Sequence, residues 1–351
     1  MESTTLMYED IDYINFWNIS GNITNDMDME KYEEILKFIS LTRIIIPVLF
    51  GLITIFGLLG NILTIAGIQR HKTIIGITKY LITNLAITEI LYVAFGVSFK
   101  ATYSALHFWP FGDIWCRIHT YLDYVSYFAK MYTLVLLSLD KYIALVHPIR
   151  AILLRTKQNG YIALIALWSL VILGNIPFIF ISKEEGIIKQ TKVCYIHFED
   201  TSRFATCYFM FSYLLPLIVL IFLNGHLLRV FLTGTSPKER TNGDLIQLEV
   251  NKSVTKMVLL LVALYAVCWM PLQVIMLYTH VSKEVHFTVT FASIIYAAHC
   301  LAYMNSCINP ILYTFYMHTF RNGIQNMICC RKTKHSTNGS HSSLITTSDM
   351  L

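Results

Sequence analysis

Asp123, Lys130 and Lys141 share one face of one helix. Tyr127, Lys130, Leu134 and Lys141 follow Asp123 by 4, 7, 11 and 18 residues, all close to whole turns. The residues between are mostly apolar, so this face carries an acid, then a lysine, then a second lysine. A carboxylate near the watery end of such a helix suits a cation: an amine, or the Arg, Lys or amino terminus of a peptide. Tyr303 is placed to hydrogen-bond it. The plainer alternative is an acid that pairs with Lys130 or with another helix. Glu89 lies in a second apolar stretch and offers Lys130 a partner. Either charge alone costs roughly 2.5–3.5 kcal/mol in the middle of a bilayer, and a buried pair is expensive to break. Such a pair reads either as a static bridge or as a switch. Trp269-Met270-Pro271 sets an indole beside a helix-kinking proline, either a packing toggle or a passive kink. Residues 287–317 run 31 positions without Asp, Glu, Lys or Arg. They still carry Asn305, Asn309, Pro310 and Tyr313, whose polar and backbone groups need partners on other helices. This is the chemistry of binding and shape change. No His-rich, paired-acid or nucleophile cluster occurs in these stretches, so no metal, cofactor or catalytic residue is expected.

The elements that position these residues are membrane spans. The chain has 351 residues, 55% hydrophobic and only 14% charged, against about 25% charged in an ordinary soluble protein. Its apolar residues come in blocks, and about 20 of them cross a bilayer. Charge-free runs occupy 44–68, 161–181, 204–228, 257–281 and 287–317. Two more are interrupted: 80–99 by Glu89, and 114–139 by Arg117, Asp123 and Lys130. The expected fold is therefore an all-α membrane protein, a seven-transmembrane helix bundle. A transporter is the rival class, but it usually shows broken helices in pairs or internal repeats, and none is visible.

An odd number of spans puts the termini on opposite sides. Residues 1–40 hold nine acids and two bases, and the sequons at Asn18 and Asn22 fit an extracellular, glycosylated tail. The segments expected inside hold 16 of the 27 Lys and Arg residues, as the positive-inside rule requires. The basic balance reflects these loops and implies no nucleic-acid partner. No apolar leader precedes Ile44, so the first span is expected to act as its own signal. Cys116 and Cys194 fall at outer positions, where oxidising conditions favour a disulfide. Cys329 and Cys330 follow the last span beside Arg331 and Lys332, a setting that suits palmitoylation; the alternative is two unmodified thiols.

Further residues fall into one order. Gly60-Asn61 stands in span one and Asn84-Leu85-Ala86 in span two. Trp109-Pro110-Phe111-Gly112 precedes Cys116, and Asp140-Lys141-Tyr142 ends span three, with Pro148 beyond. Trp168, Pro216, Cys268-Trp269-Met270-Pro271 and Asn309-Pro310-Ile311-Leu312-Tyr313 follow in spans four to seven, then Phe320. Together these resemble the rhodopsin-like G-protein-coupled receptors over roughly residues 44–330. Within them, 109–116 (WPFGDIWC), 132–148 (YTLVLLSLDKYIALVHP) and 298–312 (AHCLAYMNSCINPIL) are most similar to peptide receptors of the galanin and allatostatin-A group. Somatostatin, opioid and kisspeptin receptors are near relatives.

The resemblance implies a neuropeptide ligand bound by Asp123, Tyr127, Gln273, His299 and Tyr303, beneath a loop pinned by Cys116–Cys194. It implies a heterotrimeric G protein of the inhibitory class at the inner ends of Lys141, Pro148, Arg229 and 252–256. Arrestin and receptor kinases would meet the tail at Ser336, Thr337, Ser340, Ser342, Ser343, Thr346, Thr347 and Ser348. The implied layout is an extracellular tail over 1–43, a receptor domain over 44–316, a membrane-surface helix over 317–328 and a cytoplasmic tail over 329–351. The switch set is Glu89, Lys130, Asp140, Lys141, Tyr142, Trp269, Pro271, Asn305, Asn309, Pro310 and Tyr313. Four positions depart from the family. Glu89 stands for Asp, and Lys130 for a small polar residue, in what is a sodium site in relatives, so a Glu89–Lys130 bridge is expected to replace the ion, with Asn305 and Asn309 facing it. Lys141 stands for Arg and lacks its planar fork. Asn224 stands for a Tyr that meets the residues at 141 and 313. An amine receptor using Asp123, and a weakly coupling or decoy receptor, are the alternatives. The Leu272-Gln273 pair after Pro271, a single span-five serine (Ser212) and a mixed-charge stretch at 182–203 able to form a hairpin favour the peptide.

Overall fold

The computed structural model describes residues 29–70, 76–188, 191–197, 201–233, 242–282 and 288–316. Asn18, Asn22, Cys329, Cys330, the surface helix expected at 317–328 and the Ser/Thr-rich tail lie outside them. Helix α1 is Met29–Arg70, α2 Ile77–Leu106 and α3 Gly112–Val146. Short α4, Pro148–Leu154, leads to α5, Lys157–Gly174, and α6, Pro177–Ile181. A hairpin of β1, Ser182–Ile188, and β2, Thr191–Ile196, follows. Helices α7 (201–233), α8 (Asn242–Val281) and α9 (Val289–Tyr316) complete the described chain.

Among the described residues, six spans are long and apolar enough to cross a membrane: α1, α2, α5 with α6, α7, α8 and α9. The seventh bundle helix, α3, has the length but carries the charges. It sits in the middle, touching α2, α5, α7, α8 and both strands, and its charged face is buried there at Lys130, Asp140 and Lys141. The outward sides of α1, α5 and α7 expose Ile44, Phe56, Ile165, Leu170, Ile221 and Phe222. That inversion, apolar outside and charged inside, is what a hydrocarbon solvent demands.

Prolines within the helices each free a carbonyl, because a proline has no N–H for the residue four positions back. The bundle satisfies two of these from neighbouring helices. Pro310 frees the Ser306 carbonyl, and Asn61 Nδ2 of α1 donates to it at 3.1 Å. Gly60 makes that approach possible, since a Cβ there would stand 2.8 Å from Pro310 Cγ. Pro216 frees the Ser212 carbonyl, and the Tyr127 and Tyr265 hydroxyls each donate to it at 3.2 Å. Ser212 lies in a π-helical turn, Met210–Leu214, whose wider winding opens the backbone ladder. A second π turn, Val93–Val97, interrupts α2. Neither is signalled by composition. Polar side chains knit the remaining helices. Asn84 donates to Thr133 Oγ1 at 2.8 Å and accepts from Trp168 Nε1 at 2.9 Å, joining α2, α3 and α5.

The mixed-charge stretch forms the expected hairpin, antiparallel, with Glu184 opposite Cys194 and a bulge between Gly186 and Ile188. Cys194 is disulfide-bonded to Cys116 at the start of α3. Asp113 Oδ1 accepts the Glu184 N–H at 2.9 Å and Trp109 N–H donates to the Lys192 carbonyl at 2.7 Å. The hairpin is thereby fixed across one end of the bundle. Asn61→Leu should leave the Ser306 carbonyl buried without a donor. The expected loss is about 1–3 kcal/mol, read as a lowered unfolding midpoint of the purified full-length chain; an unchanged midpoint would show that the carbonyl finds another donor.

Candidate functional site

The residues singled out in the sequence gather at three levels along the bundle axis. At the hairpin end, Asp123 lies against α2. A Cβ on Gly96 would run into its Oδ1, so the absent side chain makes room for the carboxylate. That oxygen is buried and accepts no hydrogen bond. The expected bond to it from Tyr303 is therefore not made, because Tyr303 turns its ring to α1 and α2, 5.0 Å from Phe50 and 6.1 Å from Tyr92. Nor does Asp123 pair with Lys130, which is held elsewhere. His299 stacks edge-on to Tyr303 at 5.6 Å. Tyr127 and Gln273 are buried and bonded to one another at 3.0 Å. With Tyr265, 3.2 Å from the Tyr127 hydroxyl, they form a polar floor. Lys100, which no sequence motif marks, stands over the Tyr303 ring at 5.5 Å.

The middle level is an ion pair. Lys130 Nζ lies 3.0 Å from Glu89 Oε2, with both side chains fully buried. Asn309 Nδ2 donates to the other carboxylate oxygen at 2.6 Å. Lys130 also reaches Ser306 Oγ at 3.5 Å and lies over the rings of Tyr92 (5.2 Å) and Trp269 (5.4 Å). A desolvated cation over an aromatic face gains about 2 kcal/mol or more. The second expected asparagine is elsewhere: Asn305 is buried against the Cys268 thiol, and Ser306 takes its place beside Lys130. Trp269 packs on Tyr127 at 4.5 Å and Tyr92 at 5.8 Å, and its buried Nε1 makes no hydrogen bond. An unbroken run of aromatic contacts therefore leads from Tyr303 through Tyr92 to the ammonium of Lys130.

At the far end Asp140 holds two cations. Lys141 Nζ is 3.1 Å from its Oδ2, and Arg155, from the turn after α4, brings Nε to 2.6 Å from its Oδ1. Thr78 of α2 donates to Asp140 Oδ2 at 2.7 Å and accepts from Lys141 Nζ at 2.7 Å. Thr78 and Arg155 carry no sequence signal for these roles; nothing local links position 155 to position 140. Arg155 supplies the guanidinium fork that Lys141 lacks. Asn224 donates to Ser138 Oγ at 3.1 Å and to its own helix. Tyr142 turns away, edge-on to His147 and His226. Tyr313 is fully buried on α9, two turns from Ser306. An apolar cavity of about 710 Å³ lies apart from all three levels, between α3, α5 and α7, lined by Phe128, Leu167, Phe178, Cys207 and Phe211.

The sequence matches known proteins over most of its length. Residues 60–313 match the 7 transmembrane receptor (rhodopsin family). The chain is 35% identical to the allatostatin-A receptor of Bombyx mori over 318 residues, 88% of this chain and 86% of that one. It is 31% identical to galanin receptor type 1 of Rattus norvegicus over 332 residues, 92% and 93% of the two chains. It is 29% identical to somatostatin receptor type 4 of Rattus norvegicus over 302 residues, 84% and 75%. The chain belongs to the rhodopsin family of seven-transmembrane receptors, multi-pass membrane proteins that are receptors and not enzymes. Membership sets the transporter alternative aside.

Lys130 already occupies the space beside Glu89 and Ser306 with an ammonium, so a free sodium ion has no charge left to neutralise there. The unfolding midpoint of the purified chain should be the same in sodium chloride and in choline chloride at equal ionic strength. A sodium-specific rise of several degrees would contradict it.

Proposed function

We propose that this chain is a plasma-membrane receptor, amino terminus outside and carboxyl terminus inside, that binds an extracellular neuropeptide and activates a heterotrimeric G protein. The single observation that carries the reading is the Asp123 carboxylate, buried and unbonded at Oδ1, beneath a hairpin tied to the same helix by Cys116–Cys194. An acceptor held in that condition is stabilised by a ligand donor. The named relatives are receptors for allatostatin A, galanin and somatostatin, which supports a peptide. On this reading the ligand touches Asp123, His299 and Tyr303, with Tyr127 and Gln273 as floor. The outer tail spans 1–43, the receptor domain 44–316, the surface helix 317–328 and the inner tail 329–351.

Signal transfer follows from differential binding. A ligand shifts the equilibrium between two bundle states only through its unequal affinity for them. Contacts at Tyr303 and Asp123 bear on Tyr92 and Trp269, hence on the Lys130–Glu89 pair and on α8 at Pro271. At the inner end, Lys141 would leave Asp140 for the partner. Arg155 would remain on Asp140, so the carboxylate would not be stranded. The exposed Ile149, Ile152 and Leu153 of α4 offer an apolar surface beside it for an inhibitory-class G protein, and arrestin and kinases would meet the tail. The test is a panel of neuropeptides and biogenic amines on cells expressing the chain. A peptide should release G-protein signal without ion flux, and Asp123→Ala should weaken it at least about tenfold, the size of one charged contact. Activation by amines alone, or by no member of the panel, would overturn the reading.

A further inference from the structure

We infer that the apolar cavity between α3, α5 and α7 is a binding site for a membrane sterol, a rigid apolar body with one hydroxyl, which enters from the surrounding lipid and hydrogen-bonds to Asn175. The cavity, about 710 Å³, is not sealed. Leu170 and Phe211 stand in its wall and are also exposed on the outward faces of α5 and α7. It is therefore continuous with the surface on which the bundle meets hydrocarbon, and membrane lipid is the medium that fills it. Water gains little there, because an apolar space offers it few partners.

Two features select among lipids. The first is a single polar group at one end. The α5 side of the cavity runs from Ala163 to Asn175, about 18 Å along the helix. That is close to one leaflet of a hydrocarbon core roughly 30 Å thick. Asn175 stands at the hairpin end and is only 5% exposed. Its Nδ2 donates to the Val171 carbonyl at 2.7 Å, and among the described residues no group donates to its Oδ1. One hydroxyl completes that amide. None of the lining residues is charged, so a phospholipid headgroup finds no counter-charge. The second feature is the aromatic wall of Phe128, Phe178, Tyr208 and Phe211, which suits a flat body. A fused-ring body has few rotors to freeze, whereas an acyl chain loses freedom at each bond that the groove fixes.

The site bears on the backbone that α7 leaves open. The Tyr132 hydroxyl, in the cavity wall, donates to the Phe211 carbonyl at 3.0 Å, within the π turn Met210–Leu214. The next carbonyl, that of Ser212, is held from inside by Tyr127 and Tyr265. Tyr208 lies against Tyr127 with ring centres 6.3 Å apart. A sterol in the cavity therefore packs on this turn from the lipid side while the polar floor holds it from within.

The test is photolabelling of the full-length chain in phosphatidylcholine nanodiscs with a diazirine-bearing cholesterol, the labelled peptides being identified by mass spectrometry. Label should concentrate on 128–136, 163–178 and 204–211. Cholesterol should displace it, and mirror-image cholesterol, which alters bulk lipid alike, should not. Gly174 lines the cavity, and a Cβ added there meets no atom within 4 Å, so Gly174→Phe sets a ring in the space without a clash. It should lower labelling about tenfold. Asn175→Leu should lower it about fivefold, the size of one neutral hydrogen bond. Unfolding midpoints check that both variants fold, and Ala166→Phe replaces either one that does not. Label spread evenly over the outward faces of all the helices, equal displacement by the mirror image, or unchanged labelling in the variants would overturn the assignment. So would an acyl-chain diazirine phosphatidylcholine that labels the same peptides and is not displaced by cholesterol.

Discussion

A lysine ammonium in the middle of an apolar bundle needs an anion within reach and further groups for its remaining protons. Lys130 has Glu89 at 3.0 Å, Ser306 at 3.5 Å and the faces of Tyr92 and Trp269. Glu89 in turn is completed by Asn309. Four bundle helices, α2, α3, α8 and α9, thus converge on one charge pair. Their rotations about their own axes follow from it: with Glu89 and Lys130 facing inward, Asp123 and Lys141 face inward too, one level above and one below. The pair places both the hairpin end and the far end of α3 without touching either.

The same constraint governs the backbone. Hydrocarbon offers no hydrogen bonds, so every carbonyl that a proline frees must be answered from within. Asn61 answers the Ser306 carbonyl freed by Pro310, and Tyr127 with Tyr265 answers the Ser212 carbonyl freed by Pro216. Side chains that serve as backbone donors hold two helices together while leaving a locally open ladder, which can repack at small cost. Tyr127 does both tasks, meeting Gln273 above and the Ser212 carbonyl beside it. The aromatic contacts among Tyr303, Tyr92 and Trp269 then join the hairpin end to the ion pair by direct packing.

Much of this is legible in the residues because lipid narrows the choices. An acid and a lysine in neighbouring spans have few partners but each other, so residue type and position make Glu89 a partner for Lys130 and leave Asp123 as the other acid for the same lysine. The hairpin and its disulfide follow from a mixed-charge stretch and two outer cysteines. The third span is legible only from the single face of its charges, since its composition alone does not mark it as a span. What stays hidden depends on contacts far apart in sequence. The π turns at Val93–Val97 and Met210–Leu214 carry no compositional mark. Choosing Ser306 over Asn305 needs the rotation of α9. Arg155 reaches Asp140 from a turn whose path no local pattern sets. Lys100 reads as an ordinary helix-end lysine until the fold sets it over the Tyr303 ring.

The bundle answers its buried charges from within the chain. Lys130 supplies the cation beside Glu89, and Arg155 lends Asp140 the fork that Lys141 lacks. The most direct measurement of whether the buried pair organises the core is a double-mutant cycle on its two members. Unfolding free energies would be compared for wild type, Glu89→Leu, Lys130→Met and the double variant. Each single change should cost about 3–5 kcal/mol by stranding the other charge, and the double variant should recover most of that loss. Mild single changes, or a double variant whose loss is the sum of the two, would contradict it.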